Sequence, residues 1–396
     1  MPPRSALAPL VGLFLASLAL RPQLLAIGPL LPEMRTDLGM SHGVAGLLGT
    51  IPVLCMGIFA PIGPRLVARV GVRAALAACV TAISILGVAR AVAPDATTVL
   101  AATLAIGVSV GTAGAIPAIV VKLRAPTVPA LGTGAYAGGI VAGSTIAAAV
   151  AVPLAGVDLD WRFSLAAISI ASAVPGAAWL LLVRSDRPNE RTGSGPPRLP
   201  WRSATGWLLA LLFGLQSMIY YGLVAWLANV YVERGWDQAS AGSLLATMNG
   251  IGLLTTIGVP LVADRLGSRR GQLLASALAV LIGLLGVLLV PEAGLLWSVA
   301  LGLALGAIFP LVLTLPVDVA DAPGEVGAVA ALMLLGGYIL SSTGPVLLGA
   351  IRDVTGDFQA SLWSLAGLAL ALMVTCLALS PRRLRHGIGR ELPTVV

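Results

Sequence analysis

Residues 39–73 read GMSHGVAGLLGTIPVLCMGIFAPIGPRLVARVGVR, and residues 235–269 read GWDQASAGSLLATMNGIGLLTTIGVPLVADRLGSR. Laid over one another with a shift of 196 and no gap, they share eight identities. Gly39 meets Gly235, Ala45 meets Ala241, Gly46 meets Gly242 and Leu48 meets Leu244. Pro64 then meets Pro260, Arg69 meets Arg265, Gly71 meets Gly267 and Arg73 meets Arg269. Each copy is a long apolar run that ends in an Arg-x-Gly-x-Arg turn. A repeat at this distance divides the chain into two related halves.

The stretches on either side are of the same kind. Of 396 residues, 58% are apolar and 10% are charged, against about 25% charged in an average soluble protein. That balance excludes a soluble enzyme and a disordered chain. Twelve apolar segments can be marked: 7–34, 43–67, 74–92, 96–121, 130–156, 163–183, 204–232, 239–263, 272–290, 294–317, 326–351 and 360–380. Each is long enough to cross about 30 Å of hydrocarbon as a helix. The alternating pattern of a barrel strand is absent. Arg4 ahead of the apolar run from Ala6 to Leu20 imitates a signal peptide, but the apolar pattern resumes after Arg21. The expected fold is all-α and integral to a membrane, with twelve transmembrane helices in two six-helix bundles.

Charge sets the expected orientation. With both termini in the cytoplasm, 18 basic residues lie inside, and five, Arg35, Arg90, Arg162, Arg234 and Arg352, lie outside. The net charge of +7 is then a topology signal rather than a nucleic-acid surface. The expected organisation is a first bundle over 1–184, a Gly- and Pro-rich cytoplasmic linker over 185–203, a second bundle over 204–381 and a cytoplasmic tail over 382–396. An even number of spans per half makes this a parallel repeat about the membrane normal, whose halves can rock around a midplane cavity. Cys55, Cys79 and Cys376 fall inside apolar runs without metal-ligand or disulfide spacing. Lys122 is the sole lysine among 24 basic residues, a bias that suggests a high-GC bacterial genome and hence a bacterial inner (plasma) membrane.

Arg21 is the most informative residue. It lies about 20 Å from either end of its span. An arginine at the bilayer centre costs about 2.5–3.5 kcal/mol on insertion scales. The acids all fall at span ends or in loops, so its expected partners are backbone carbonyls, a polar side chain such as Gln216 or Asn249, or an anion held bidentately. Pro22 removes a backbone donor beside it. Gln216 and Tyr220 lie one turn apart in span seven, with Asn249 in span eight, Tyr136 in span five and Tyr338 in span eleven. Amides in membranes either glue helices or line a path, and tyrosines also serve as packing residues, so both readings stay open. The candidate substrate-binding set is Arg21, Gln216, Tyr220, Asn249, Tyr136 and Tyr338. The candidate gating set is Arg69, Gly71 and Arg73 with Asp264, Arg265, Gly267 and Arg269, where Asp264 is an acceptor suited to capping a neighbouring helix N-terminus. Glycines and prolines in spans four, ten and eleven suit either rocking helices or plain tight packing.

The turn Asp264-Arg265-Leu266-Gly267-Ser268-Arg269-Arg270 resembles the cytoplasmic loop motif of the major facilitator superfamily. The first half departs from it, with Ala68 where that family has Asp. Leu20-Arg21-Pro22 with Gly28-Pro29-Leu30-Leu31-Pro32-Glu33, and Pro52-Val53-Leu54-Cys55 with Ala60-Pro61, look like the cyanate/nitroimidazole (CynX/NimT-like) branch of that superfamily. So do Phe213-Gly214-Leu215-Gln216-Ser217 with Val224-Ala225-Trp226-Leu227, and Gly337-Tyr338 through Gly344-Pro345 and Gly349 to Asp353-Val354-Thr355-Gly356. Ala19 stands where the branch has Asn. The resemblance implies a latch at Asp264 and transport of a small anion or small polar molecule.

The expected function is secondary transport of a small anionic or polar solute, cyanate-like or nitro-heterocycle-like, by rocker-switch alternating access. The alternative is a drug or metabolite efflux transporter of the same fold with broad hydrophobic specificity. A membrane enzyme would need a reactive cluster, and the two histidines, His42 and His386, both lie near water. A channel fits the repeat less well than a carrier. No Walker-type phosphate loop occurs, so no nucleotide cofactor or metal is expected. Without a deep carboxylate, Glu33, Asp37 or the substrate itself is left to carry any coupled proton. Expected partners are a small-molecule or anion substrate and membrane lipids, not nucleic acid, with the chain acting as a monomer.

Overall fold

The repeat begins with a turn closed by main chain. Gly39 takes φ +60° and the Met40 N–H donates to Arg35 O at 3.0 Å. In the second half, Gly235 takes φ +88° and the Trp236 N–H donates to Tyr231 O at 3.0 Å. Both are glycine-closed helix ends, where a residue without Cβ takes the left-handed conformation freely. Two residues later Ser41 Oγ accepts from Val44 N–H and Asp237 Oδ1 accepts from Ser240 N–H, so a side-chain cap starts the next helix in each half. This is why Gly39 and Gly235 are among the repeat's identities.

The computed structural model describes residues 4–156, 160–183, 198–266 and 268–379. Among these it has no strand. The helices are α1 Arg4–Leu18, α2 Pro22–Leu25, α3 Ile27–Asp37, α4 His42–Ile58, α5 Ile62–Val70, α6 Val72–Ala91, α7 Ala96–Ala113, α8 Ile116–Arg124, α9 Pro129–Ala155 and α10 Trp161–Leu182. They continue as α11 Ala204–Glu233, α12 Gln238–Ala263, α13 Arg269–Leu289, α14 Gly294–Val319, α15 Pro323–Ser342, α16 Gly344–Thr355 and α17 Gln359–Ala378. Among the described residues, eleven helical segments are long and apolar enough to span a membrane. The bent pair Val44–Ile58 and Ile62–Val70, meeting at 60°, makes a twelfth if counted as one span. Ile85, Ile170, Val174, Leu254 and Val374 are each over 60% exposed, as lipid-facing side chains must be. Several hydroxyls inside the spans turn back on their own helices: Thr103, Thr112 and Thr314 each donate to the carbonyl four residues earlier. That satisfies hydroxyls where no water competes.

The chain divides into two compact units, Met1–Leu199 with Ala322–Leu335, and Pro200–Asp321 with Gly336–Val396. In the first, α4 packs on α7, and α1 on α9 and α10. In the second, α12 packs on α14, and α13 on α14 and α17. The repeat is visible in this packing. A Cβ on Gly107 would stand 2.9 Å from Cys55 Cβ, and one on Gly111 would stand 2.9 Å from Cys55 C. A Cβ on Gly302 would stand 3.0 Å from Ile251 Cβ, and one on Gly306 would stand 2.7 Å from Gly252 Cα. In each unit a Gly-x-x-x-Gly face lets the helix touch its neighbour's main chain.

A second duplicated element escaped the sequence comparison. Asp160 Oδ1 accepts from Arg162 N–H, and Asp357 Oδ1 accepts from Gln359 N–H. Ser164 Oγ donates to Ala151 O at 2.6 Å, and Ser361 Oγ donates to Leu348 O at 2.8 Å, each across thirteen residues. The offset between the copies is 197, one more than in residues 39–73, so an ungapped comparison misses it.

Candidate functional site

Span one breaks where Arg21 sits. Pro22 has no N–H to offer Leu18 O, and α1 ends in a tight turn with Ala19 N–H on Ala16 O and Leu20 N–H on Ser17 O. The chain restarts on Arg21 O, which accepts from Leu24 N–H at 3.0 Å, and Pro22 takes the first position of α2. The opposing helix is shaped for this break. A Cβ on Gly143 of α9 would stand 2.7 Å from Leu18 C and 2.8 Å from Leu18 Cα. Arg21 is half-buried. Arg21 is not without a partner in the fold. Tyr136, 3% exposed on α9, is buried in the same unit.

Arg90, counted among the outer basic residues, makes two hydrogen bonds to Gln23. It is fully buried in the last turn of α6, and its Nη2 donates to Gln23 O at 2.8 Å and Gln23 Oε1 at 2.9 Å. Helix side chains slant toward the N-terminus, so an arginine at the end of a span reaches back into the bundle. Near the surface, Asp37 accepts from Arg162 Nη2 and Trp161 Nε1, both at 3.1 Å. The Arg162 guanidinium lies 4.3 Å from the Trp161 ring centroid. These groups line a recess of about 610 Å³ with Glu33, whose Oε2 is buried with no partner among the described residues.

In the second unit Gln216 is 2% exposed and its Nε2 donates to Ser217 Oγ at 2.6 Å. Tyr220 Oη donates to Asn249 Oδ1 at 3.0 Å, joining α11 to α12. Both of those residues are half-buried. Tyr338 stands edge-on to Phe213 with ring centroids 5.0 Å apart. Trp226 Nε1 donates to Pro345 O at 2.8 Å, tying α11 to α16 just past the break at Thr343. Gln216 and Tyr338 are thus packed within the unit, whereas Tyr220 and Asn249 form a pair with access.

The Arg-x-Gly-x-Arg turns differ between halves. Gly71 takes φ +83° between α5 and α6, Arg69 is exposed, and Arg73 Nη2 donates to Leu180 O at 2.6 Å. Arg269 bonds Asp264 and donates from Nε to Asp318 Oδ2 at 3.0 Å, linking the ends of α12 and α14. Arg265 is exposed, and Gly267 lies outside the described residues. At the start of α13 Ser268 Oγ accepts from Gly271 N–H, and Asp264 bonds Arg269. Asp318 is the partner that the sequence motif did not reveal.

Comparison with known proteins accords with this architecture. The chain is 31% identical over 377 residues to the cyanate transport protein CynX of Escherichia coli (strain K12), spanning 94% of this chain and 97% of that one. It is 26% identical over 367 residues to the 2-nitroimidazole transporter of the same organism, spanning 92% and 93%. These relatives carry the names of transporters, not enzymes, and their bacterial source fits the expected inner-membrane location. The structure also superposes on the human organic anion transporter MFSD10 (TETRAN) with a TM-score of 0.75, over 95% of this chain and 100% of that one. At 18% identity that is a likeness of fold. Residues 10–322 match the Major Facilitator Superfamily, and with its membrane-length helices the chain is a multi-pass membrane transporter that belongs to this superfamily.

Proposed function

We propose that the chain is a secondary transporter that moves a small anionic or small polar solute, of the cyanate or nitro-heterocycle kind, by alternating access. The observation that carries this reading is the break in span one. There a half-buried guanidinium sits on unwound backbone, beside a proline, in a chain similar along nearly its whole length to a cyanate and a nitroimidazole transporter. Arg21 supplies charge-assisted donors for the solute. Within the first unit Tyr136 backs Arg21; within the second, Tyr220 and Asn249 supply a neutral donor and acceptor, backed by Gln216 and Tyr338. The arginine-rich turns, with Arg69, Gly71 and Arg73 in one half and Asp264, Arg265, Gly267 and Arg269 in the other, control opening. The Asp264–Arg269–Asp318 cluster is the part that must loosen.

The test is counterflow of labelled cyanate in proteoliposomes, with 2-nitroimidazole as competitor. Arg21→Gln removes charged hydrogen bonds of about 1.5–3 kcal/mol, so transport should fall by roughly ten- to a hundredfold. Arg21→Lys should recover part of it. Wild-type flux in Arg21→Gln would remove the proposed role of Arg21, and inhibition by unrelated hydrophobic compounds would favour broad efflux.

A further inference from the structure

Among the described residues, nothing accepts three of the hydrogen-bond donors that Arg90 and Gln23 present. Both residues are fully buried, on α6 and α2. Arg90 Nη2 is occupied by Gln23 O and Oε1, but Arg90 Nε, Arg90 Nη1 and Gln23 Nε2 have no partner among the described residues. Gln23 O is one of the carbonyls left over at the end of the four-residue α2, so that bond caps a helix end and leaves the charge uncompensated. Among the described residues no carboxylate pairs with Arg90. Gly87 lets Gln23 pack close to α6: a Cβ there would stand 2.8 Å from Gln23 Oε1 and press on Ser169 Oγ.

An arginine stays protonated in a protein, and a buried cation without a counter-charge is strongly unfavourable. A glutamine whose oxygen faces the arginine turns its amino group beside the same guanidinium. The unmet groups are therefore all donors, on two side chains already bonded to each other. We infer that Arg90 and Gln23 form an occluded binding site for a small monovalent anion in the first unit, distinct from Arg21. The anion accepts from the guanidinium edge and the amide, neutralises the buried charge, and fixes the broken part of span one against α6. Two sources share this chemistry: a resident halide, or the transported anion held at a second position.

The test uses the purified full-length protein in detergent, in a sodium gluconate buffer whose anion is too bulky for an occluded site. Chloride, nitrate and cyanate are each titrated while the apparent Tm is read. Wild-type protein should show a saturable rise. Gln23→Leu, which removes the amide donor, should weaken the apparent Kd by about ten- to a hundredfold. Arg90→Met should show no rise and should be at least as stable as wild type in gluconate, because it no longer buries a naked charge. If Arg90→Met does not fold, Gln23→Leu decides. A rise with chloride identifies a resident ion, and a rise with cyanate or nitrate alone identifies the transported class; both support the site. An unchanged Tm with every anion, or a wild-type Kd in Gln23→Leu, overturns the inference and leaves water as the acceptor. The readout needs no transport, so it stands or falls apart from the function proposed for Arg21.

Discussion

Gly143→Ala is a one-methyl probe of the break in span one. The new Cβ would lie 2.7 Å from Leu18 C, which is 0.7 Å inside the 3.4 Å at which ordinary contact begins, and it would press harder still on Leu18 O. The opposing atoms are main chain, so no side-chain rotation relieves them, and α1 and α9 must separate. Overpacking of this kind costs about 1–3 kcal/mol, offset by about 1 kcal/mol of better helix propensity. For a unit of this size each kcal/mol shifts Tm by about 2–4 °C, so a drop of several degrees is expected. Because Arg21 follows Leu18 by three residues, the displacement carries to the guanidinium, and misplacement by about 1 Å can lower a rate a hundredfold. The control is Gly258→Ala, whose Cβ would meet open space and which should match or exceed wild-type Tm. The assays are fluorescence-detected size exclusion after heating, and cyanate counterflow. If Gly143→Ala melts with Gly258→Ala and transports at the wild-type rate, the break is not held by this contact.

Two further predictions concern the second unit. Arg269 and Asp318 are 12% and 17% exposed, and a double-mutant cycle of Arg269→Gln with Asp318→Asn should give a coupling of about 0.5–3 kcal/mol in thermal stability; additive effects would dissolve the cluster. Tyr220→Phe should cost about 0.5–1.5 kcal/mol in wild-type background and almost nothing once Asn249→Leu is present. Equal losses in both backgrounds would show that the hydroxyl does not work through Asn249.

The spans were legible because lipid enforces them: a run such as 272–290 has no other stable form. The repeat was legible at Gly39 and Gly235 because a left-handed turn admits few residues. Other features resisted for physical reasons. Arg90 sits at the last turn of an apolar run, where charge normally means water, and only the backward slant of helix side chains turns it inward. Asp318 looks like an ordinary acid after Pro316, and its role depends on a helix end brought across to Arg269. The bent pair α4 and α5 reads as one run, since the residues at the bend are apolar. For Arg21, the sequence located the break at Pro22.

The paired clasps at Asp160 to Ser164 and Asp357 to Ser361 bear on ancestry. The residues between acid and serine differ, Trp-Arg-Phe in one copy and Phe-Gln-Ala in the other, yet the same atoms meet across the same interval. A single six-helix forebear that already fastened its last hairpin this way, then doubled and fused, accounts for both copies. What the duplicates preserved through their divergence is a hydroxyl finding a carbonyl, while the letters around it were free to drift.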